Sequence, residues 1–461
     1  MNITKIFKER DPTQGSIIKN ILGITSTFWP NSAYYILFTC LNLLWVSKLG
    51  PQAIAAVAIG GAAFMFLMMP VQGLATSAAV IIGQFAGQQD KNGLEKLVKE
   101  LLATGWCLAI ILALFGYFLA PTLLKLIGAE PEVLSLATTY LRIQAIGGII
   151  TFSFWIINGM VRAARGMRII MKVMASMITL QIIFDYLLIL GHLGFPRLGV
   201  AGASLSAVLS AGAGALMGYL ALAKGKSLIK IDFKNWQDFR IRFKTLKEII
   251  GIGGFNTLEG ISLAIGRMVM LGIVAPFGTF ALAAYEIGQR LLRITAMFVS
   301  DLGQTTLYAV SNNLGAGYTK RAENYGWDAN ILALFFMGIP AILFFIFAPQ
   351  VIGIFTQYPE TLQIGISYLR ITTCLGLGYI FYGAGLILEK AFAGAKDTRT
   401  PFIVYLFTIG LQIGLALILP QVWGLGVSGI WWAILIAAIF NGSILAILFK
   451  KGIWRKEKKT A

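Results

Sequence analysis

The chain has 461 residues, of which 57% are hydrophobic and only 13% are charged, and its formal net charge at pH 7 is +18. Soluble globular proteins carry about 25% charged residues, so the composition excludes a soluble globular domain and indicates a protein that crosses a membrane many times. Residues 1–15 are polar and charged and lack the apolar core of a secretory leader, so no cleavable signal peptide is expected.

Runs of about 20 apolar residues, the length that a helix needs to cross a bilayer, recur along the whole chain. They predict an all-α polytopic membrane protein with twelve transmembrane helices. The predicted spans lie at 20–47, 53–86, 98–124, 132–161, 170–191, 200–223, 246–275, 280–312, 327–355, 362–388, 401–420 and 426–450.

Segments of the first half return in the second half at a near-constant offset of 228 residues. Tyr-Leu-Arg-Ile occurs at 140–143 and again at 368–371, and Leu-Gly-Val-Ala-Gly at 198–202 returns as Leu-Gly-Val-Ser-Gly at 425–429. Each copy holds six predicted spans, an even number, so both copies start on the same side of the membrane. We therefore expect two six-helix lobes related by a pseudo-twofold axis along the membrane normal, with cargo held at their seam.

The basic residues fall mostly on one side of these spans. The two chain ends and the even-numbered loops hold most of the 38 Lys and Arg residues, whereas the opposite loops hold only Lys48, Lys125 and Arg197. By the positive-inside rule both termini face the cytoplasm, and the chain is a multi-pass protein of the cytoplasmic (plasma) membrane, which is the inner membrane of a bacterial cell. Because the positive charge follows the topology, nucleic acid is not expected as a partner.

A basic segment separates the two copies. The sequence predicts a first lobe at 1–223, a linker at 224–245 and a second lobe at 246–461. Aromatic residues alternate with lysines and arginines in the linker, as in an amphipathic segment that lies on the anionic lipids of the inner leaflet. A plain solvated tether is the alternative. Membrane lipids are the expected partner of the amphipathic form, and a monomer is the expected state.

Oxygen-bearing side chains within the spans of the first copy form the first candidate site. Asp185 lies six residues before Gly191, about 9 Å below the outer end of span five. An ionisable residue at such a depth is a functional hypothesis by default. The set would hold one Na+ ion or let Asp185 take up a proton, and the alternative is a buried hydrogen-bond network that fixes the bundle. The companions of Asp185 in this set are Asn42, Gln181, Ser204 and, from the inner side, Asn158.

Spans seven and eight of the second copy carry another set of charged and polar residues. Glu259 lies near the membrane centre and is a candidate for proton exchange or for binding a cationic cargo. Glu286 and Arg290 are spaced i, i+4, so an intrahelical ion pair is expected between them. The candidates for a substrate cavity are Glu259, Arg267, Glu286, Asp301 and Gln304.

The sequence offers no catalytic constellation. It contains no histidine pair for a metal, no nucleophile elbow and no complete phosphate-binding loop of the form Gly-x4-Gly-Lys-Ser/Thr. We therefore expect neither an enzyme nor an ATP-driven pump, and no cofactor or metal beyond a coupling ion. A carrier with buried carboxylates runs on a Na+ or H+ gradient, because ion binding neutralises a charge and shifts a two-state equilibrium.

Five segments, in this order, resemble those of one transporter family. They are Leu-Gly at 49–50, Gly-Gln-Phe-Ala-Gly-Gln-Gln-Asp at 83–90, Phe-Pro-Arg-Leu-Gly-Val-Ala-Gly-Ala at 195–203, Asn-Leu-Gly-Ala-Gly at 313–317 and Ala-Gly-Ala-Lys-Asp-Thr-Arg-Thr-Pro at 393–401. Over essentially the whole chain, the sequence resembles the multidrug and toxic compound extrusion family. The resemblance implies a central cavity that opens alternately to either side and export of small, cationic, amphipathic drugs in exchange for Na+ or H+.

The site residues match the family only in part. Asp185 falls on the span-five acid of the branch that has a cation site in its amino-terminal lobe, but Asn42 stands where that branch usually has an aspartate. The span-seven glutamate of the other branch falls near Ile261, so Glu259 matches it only approximately. The sequence therefore leaves open which lobe couples the ion.

Two other classes of protein stay open as alternatives. A lipid-linked oligosaccharide flippase of the same superfamily needs a cation-rich cavity for pyrophosphate, whereas the arginines within these spans are matched by acids. A membrane scaffold without transport has little reason to keep carboxylates in lipid. The two copies match in loops and glycines yet differ in charge, since Asn42 aligns with Met270 and Ala58 with Glu286. We therefore expect unequal ion handling in the two lobes.

Overall fold

The computed structural model of the protein describes residues 11–29, 41–42, 44–89, 91–163, 167–224, 239–422 and 424–455. The regular structure of these residues is helical, so the all-α prediction is confirmed. Much of predicted span one lies outside the described residues, as does most of the predicted linker.

The helices follow the apolar runs of the sequence. In the first half they are α1 (Ile17–Thr25), α2 (Pro51–Gln88), α3 (Lys91–Phe118), α4 (Ala120–Leu126), α5 (Pro131–Ala163), α6 (Met167–Leu190) and α7 (Val200–Ala223). In the second half they are α8 (Phe243–Ile249), α9 (Phe255–Val274), α10 (Thr279–Gly315), α11 (Thr319–Ile346), α12 (Ala348–Gly353), α13 (Pro359–Thr373), α14 (Leu377–Gly394), α15 (Arg399–Val422) and α16 (Val427–Lys450).

Among the described helices, nine are long and apolar enough to cross a membrane. The pair α13 and α14, bent by 57°, gives a tenth span if the two helices are taken together. Helix α10 has the length of a span, at 37 residues, but is not among the nine. It corresponds to predicted span eight, and its charged residues account for its lower hydropathy.

Two pairs of glycines take the same backbone geometry in both copies of the repeat. Gly50 (φ 97°, ψ 172°) precedes α2, and Gly278 (φ 97°, ψ 169°) precedes α10. Gly199 (φ 56°, ψ −125°) precedes α7, and Gly426 (φ 54°, ψ −141°) precedes α16. Residues with a side chain rarely adopt such φ values. The repeat in sequence is therefore also a repeat in backbone geometry.

Packing divides the chain into two compact units. The first unit includes Ser26–Thr257, and the second combines Pro12–Thr25 with Leu258–Ala461. The division differs from the predicted lobes in two segments, because residues 12–25 pack with helices of the second copy and residues 246–257 pack with helices of the first. The boundaries of the predicted lobes and linker otherwise stay a prediction.

Polar contacts hold the segment Pro12–Thr25 within the second unit. The carbonyl oxygen of Pro12 accepts hydrogen bonds from the side chains of Arg321 (3.0 Å), Tyr325 (2.9 Å) and Asn313 (3.2 Å). The Arg321 guanidinium also donates to two further backbone carbonyls of the segment, at 2.9 and 2.7 Å. One arginine therefore satisfies three carbonyls that precede α1 and have no helical partner of their own.

Residues 243–257 are held within the first unit. Ser77 Oγ of α2 donates to the carbonyl of Ile249 at 3.0 Å. Gly73 and Gly253 pack so closely that a Cβ atom on either would lie 2.4–2.5 Å from the carbonyl oxygen of the other. Only two glycines allow this approach of backbones.

The two segments are equivalent in the repeat. At the offset of 228, residues 12–25 correspond to residues 240–253. Each copy of the repeat therefore packs its first segment into the unit that the other copy builds.

Arg321→Ala is expected to lower the free energy of unfolding by about 1–3 kcal/mol, because charge-assisted hydrogen bonds to three backbone carbonyls are lost. Hydrogen exchange should rise in residues 16–25 of the detergent-solubilised protein. The neighbouring variant Lys320→Ala removes an exposed lysine whose partner Glu323 keeps its ion pair with Arg455, so it should change stability by less than about 0.5 kcal/mol. Equal effects of the two variants would contradict the anchoring role of Arg321.

Candidate functional site

A fully buried carboxylate lies within the first unit. Asp185 of α6 has no exposed surface. Asn42 Nδ2 donates a hydrogen bond to its Oδ2 atom at 2.9 Å, and the hydroxyl of Ser206 on α7 donates to its Oδ1 atom. Each carboxylate oxygen therefore receives one neutral donor.

No cation balances this carboxylate within the described part of the chain. No Lys or Arg nitrogen of those residues lies within 4.0 Å of Asp185 to form an ion pair. A charge removed from water costs several kcal/mol when no opposite charge accompanies it. Two neutral hydrogen bonds recover only part of that cost. A proton or a bound cation would supply the missing charge.

The predicted companions of Asp185 divide into two groups. Asn42 reaches the carboxylate, and Gln181 is buried one helical turn before it on α6. Ser204 instead donates to the carbonyl of Tyr140 at 2.9 Å. It lies two residues before Ser206, about 200° away around the helix, so the two hydroxyls face different neighbours. Ser206, which the sequence analysis did not name, contacts the carboxylate in place of Ser204.

Asn158, the fifth predicted member, belongs to a different contact set. Its Oδ1 atom accepts a hydrogen bond from Arg162, and its Nδ2 atom lies 3.4 Å from the sulfur of Met174. The Arg162 guanidinium also stacks over the ring of Phe28 at 4.2 Å. These contacts occupy the Asn158 amide at the end of α5.

The second unit contains a pair of carboxyl groups beside a lysine. Glu259 on α9 lies within electrostatic reach of Glu389 on α14, and Glu389 Oε1 lies 2.6 Å from Lys390 Nζ. Two neighbouring carboxylates repel each other, and a proton on one of them removes that repulsion. With that proton the three groups are neutral overall, and without it they carry one negative charge. Sequence inspection missed Glu389 because it lies at the edge of a predicted span.

A third group of charged residues surrounds Glu286. Its Oε2 atom lies 3.4 Å from Arg267 and 3.7 Å from Arg293. The predicted i, i+4 ion pair between Glu286 and Arg290 was wrong. Arg267 from the neighbouring helix α9 and Arg293, two turns along α10, contact the carboxylate instead.

The predicted substrate-cavity residues do not form one cluster. Glu259 and Arg267 are eight residues apart on α9, or about 12 Å along its axis, and they contact different partners. Asp301 and Gln304 lie on α10, and Asp301 is 15 residues beyond Glu286, about 22 Å away along the helix axis. The sequence analysis grouped these residues because they lie on neighbouring spans, but the structure places them far apart along the helix axes.

A family model described as MatE matches residues 31–187 and 257–418, more than half of the chain. The chain belongs to the MatE family. It is therefore a membrane transporter and not an enzyme, and the resemblance to the multidrug and toxic compound extrusion family is confirmed.

Similar proteins extend over nearly the full length of this MatE chain. The probable multidrug resistance protein YpnP of Bacillus subtilis (strain 168) is 24% identical over 452 residues, which cover 98% of this chain and 99% of YpnP. The probable multidrug resistance protein NorM of Thermotoga maritima is 25% identical over 456 residues, with coverages of 95% and 94%.

Solved structures of the family share the fold. A MOP superfamily transporter from Pyrococcus furiosus has a TM-score of 0.86 at 23% identity and covers 98% of this chain and 99% of its own. A crystal structure of MATE in the bent conformation has a TM-score of 0.87 at 23% identity, with coverages of 97% and 98%. The predicted count of twelve helices is consistent with this fold.

Ser206→Ala and Ser204→Ala form a matched pair that tests the geometry around Asp185. The Ser206 variant removes a donor to the carboxylate, a change of about 1 kcal/mol, so the coupling-ion concentration at half-maximal transport should shift about fivefold. The Ser204 variant should leave it unchanged, because that hydroxyl bonds a backbone carbonyl. Flux into proteoliposomes at graded ion concentrations measures both, and the opposite ranking would contradict the site.

Proposed function

We propose that this transporter is a secondary active multidrug efflux protein. It exports small, cationic, amphipathic compounds by alternating access, in exchange for Na+ or H+ bound at Asp185. The relatives named as probable multidrug resistance proteins, which match over nearly the whole chain, support the efflux role.

The observation that carries the proposal is the complete burial of Asp185 with neutral donors only. The empty site keeps a negative charge in a dry helix bundle, which favours any conformation that admits water or a cation. The occupied site is neutral and tolerates closure. Ion binding therefore shifts the balance between two conformations by as much as the ion's affinities for them differ. An ion gradient can drive transport in this way.

The donor set suits either coupling ion in a different manner. A proton needs only one oxygen of Asp185. A sodium ion would use the carboxylate, the lone pairs of the Ser206 hydroxyl and the Asn42 amide oxygen, which requires the Asn42 amide to turn by 180° from the orientation that donates to Asp185. Separate Na+ and pH gradients across liposomes distinguish the two ions.

Our proposal assigns the cationic group of the cargo to Glu259. The carboxyl group of Glu389 beside it is already paired with Lys390 at 2.6 Å, so Glu259 is the acid of the pair that is free to exchange a proton for a cargo ammonium. The exchange leaves the overall charge of the cluster unchanged. We further infer a monomer in the cytoplasmic membrane with both termini in the cytoplasm.

A lipid-linked oligosaccharide flippase is the second candidate. The excess of arginine around Glu286, with Arg267 and Arg293 on one carboxylate, is the cation-rich surface that such a flippase needs for pyrophosphate. The sequence led us to expect that acidic residues balance the arginines within the spans, but here one carboxylate contacts two arginines. Restored translocation of the lipid precursor, with no effect on dye accumulation in cells that lack their own pumps, would favour this candidate.

Asp185→Asn should abolish gradient-driven efflux, since the amide neither takes up a proton nor neutralises a bound cation. The amide has nearly the same shape, so helix content and elution volume should match those of the wild type. The measurement is drug efflux from proteoliposomes under an imposed ion gradient. Wild-type rates in this variant would refute Asp185 as the coupling site.

Glu259→Gln should weaken the transport of cationic cargo by tenfold or more while neutral cargo of similar size is affected less, because only the former uses the charge. Competition between a quaternary ammonium compound and its uncharged analogue measures the difference. An equal loss for both compounds would show that Glu259 supports the fold rather than the cargo.

A further inference from the structure

We propose that the second unit contains a binding site for an anionic group on an amphipathic molecule, formed by Arg267, Arg290 and Arg293 around Glu286. The anionic group would be a carboxylate, a sulfonate or a phosphate, because arginine side chains recognise all three through the same hydrogen bonds. That this molecule is a cargo rests on the proposed efflux function, whereas its binding does not require transport.

The cluster has more positive than negative charge. Arg267 and Arg293 contact the one glutamate and Arg290 lies one turn from it on α10, so the four residues carry two net positive charges. Arg290 is exposed and makes no ion pair within 4.0 Å to any residue that the structure describes. Its neighbours on α10 are Glu286, one turn before, and Arg293, three residues later.

The single carboxylate leaves most arginine donors unused. Its contact with Arg293 is 3.7 Å long, beyond hydrogen-bond distance, and its contact with Arg267 is 3.4 Å. The side chains of the two arginines are each 44% exposed. A guanidinium presents a planar set of N–H groups that matches a carboxylate or phosphate in two-pronged fashion. The cluster therefore has donors to offer to a second anion.

The excess positive charge of the cluster lies well inside the lengths of its two helices. Arg267 lies seven residues before the end of α9 and Glu286 seven residues after the start of α10, each about 10 Å from the helix end. Arg293 lies about 21 Å from the start of α10. Charged side chains at such depths in a bilayer face a water-filled cavity or a partner. Exposed arginines here mark a surface that an anion can reach.

The equivalent helix of the first copy shows that the fold does not need these charges. At the offset of 228, the counterparts of Glu286, Arg290 and Arg293 are Ala58, Ala62 and Met65. These three residues of α2 are exposed as well. The same face of equivalent helices is thus open in both units, apolar in one and cationic in the other.

Apolar residues continue the same face of α10. Ile294 and Phe298, one turn apart, are 50% and 42% exposed. Ile294 also lies one turn beyond Arg290. A ligand with an anionic head and an apolar body fits this order of residues.

A matched pair of fluorescent probes tests the site on the full-length protein in vesicles of phosphatidylcholine alone, which carry no net lipid charge. The probes are 8-anilinonaphthalene-1-sulfonate and its uncharged parent, N-phenyl-1-naphthylamine. The double variant Arg290→Gln/Arg293→Gln should weaken binding of the sulfonate at least tenfold and leave the parent unchanged. Arg370→Gln, which removes one exposed positive charge of the same unit outside the cluster, is the control and should change neither.

Glu286→Gln gives a second test with the opposite sign. Removal of the internal carboxylate frees both arginines, so the sulfonate should bind several-fold more tightly, a result that misfolding does not produce. No change or weaker binding in Glu286→Gln, or equal loss of both probes in the double arginine variant, would overturn the proposal.

Two further arms identify the source of the anion. In the first, phosphatidylglycerol is added to the vesicles, and displacement of the sulfonate from the wild type but not from residual sites of the double variant would assign the site to a lipid headgroup. In the second, inorganic phosphate is added, and displacement by phosphate alone would assign the site to a free anion. Either result supports an anion site. Asp185→Asn separates the two proposals, because it should bind the sulfonate normally even if it transports nothing.

Discussion

The cost of taking a charge out of water governs each polar cluster of this protein. A charge buried without a partner is unfavourable by several kcal/mol, and the three clusters meet this cost in different ways. Asp185 has only neutral donors, Glu259 lies beside a second carboxyl group, and Glu286 is outnumbered by arginines. The charge missing from each cluster is the basis of the binding that we propose for it: a proton or metal cation, a cationic group, and an anion.

Duplication supplied the scaffold and divergence supplied these clusters. The glycines before α2 and α10 share one geometry, as do those before α7 and α16, and each copy packs its leading segment into the unit of the other. The charged residues are not repeated in this way. The exposed face of α10 is cationic, whereas the equivalent face of α2 carries Ala58, Ala62 and Met65. Equivalent faces of one repeated frame therefore differ in chemistry.

The sequence predicted the helices well, because hydropathy determines which segments can cross a membrane. It predicted rotation around the helix axis poorly. Ser204 and Ser206 have nearly the same depth, and only packing decides which one faces Asp185. The i, i+4 rule likewise describes an isolated helix, so it paired Glu286 with Arg290 when a neighbouring helix supplied Arg267. Exchange of the leading segments leaves no periodic signal and could not be predicted.

Equilibrium binding of the coupling ion to the purified transporter tests the central claim, that a buried carboxylate without a cationic partner is the ion site. We expect the binding of radioactive Na+ or the uptake of protons to amount to one ion per chain. Asp185→Asn should lose that ion, and Glu286→Gln should retain it. Unchanged ion stoichiometry in Asp185→Asn would contradict the account, since the ion would then bind elsewhere in the chain.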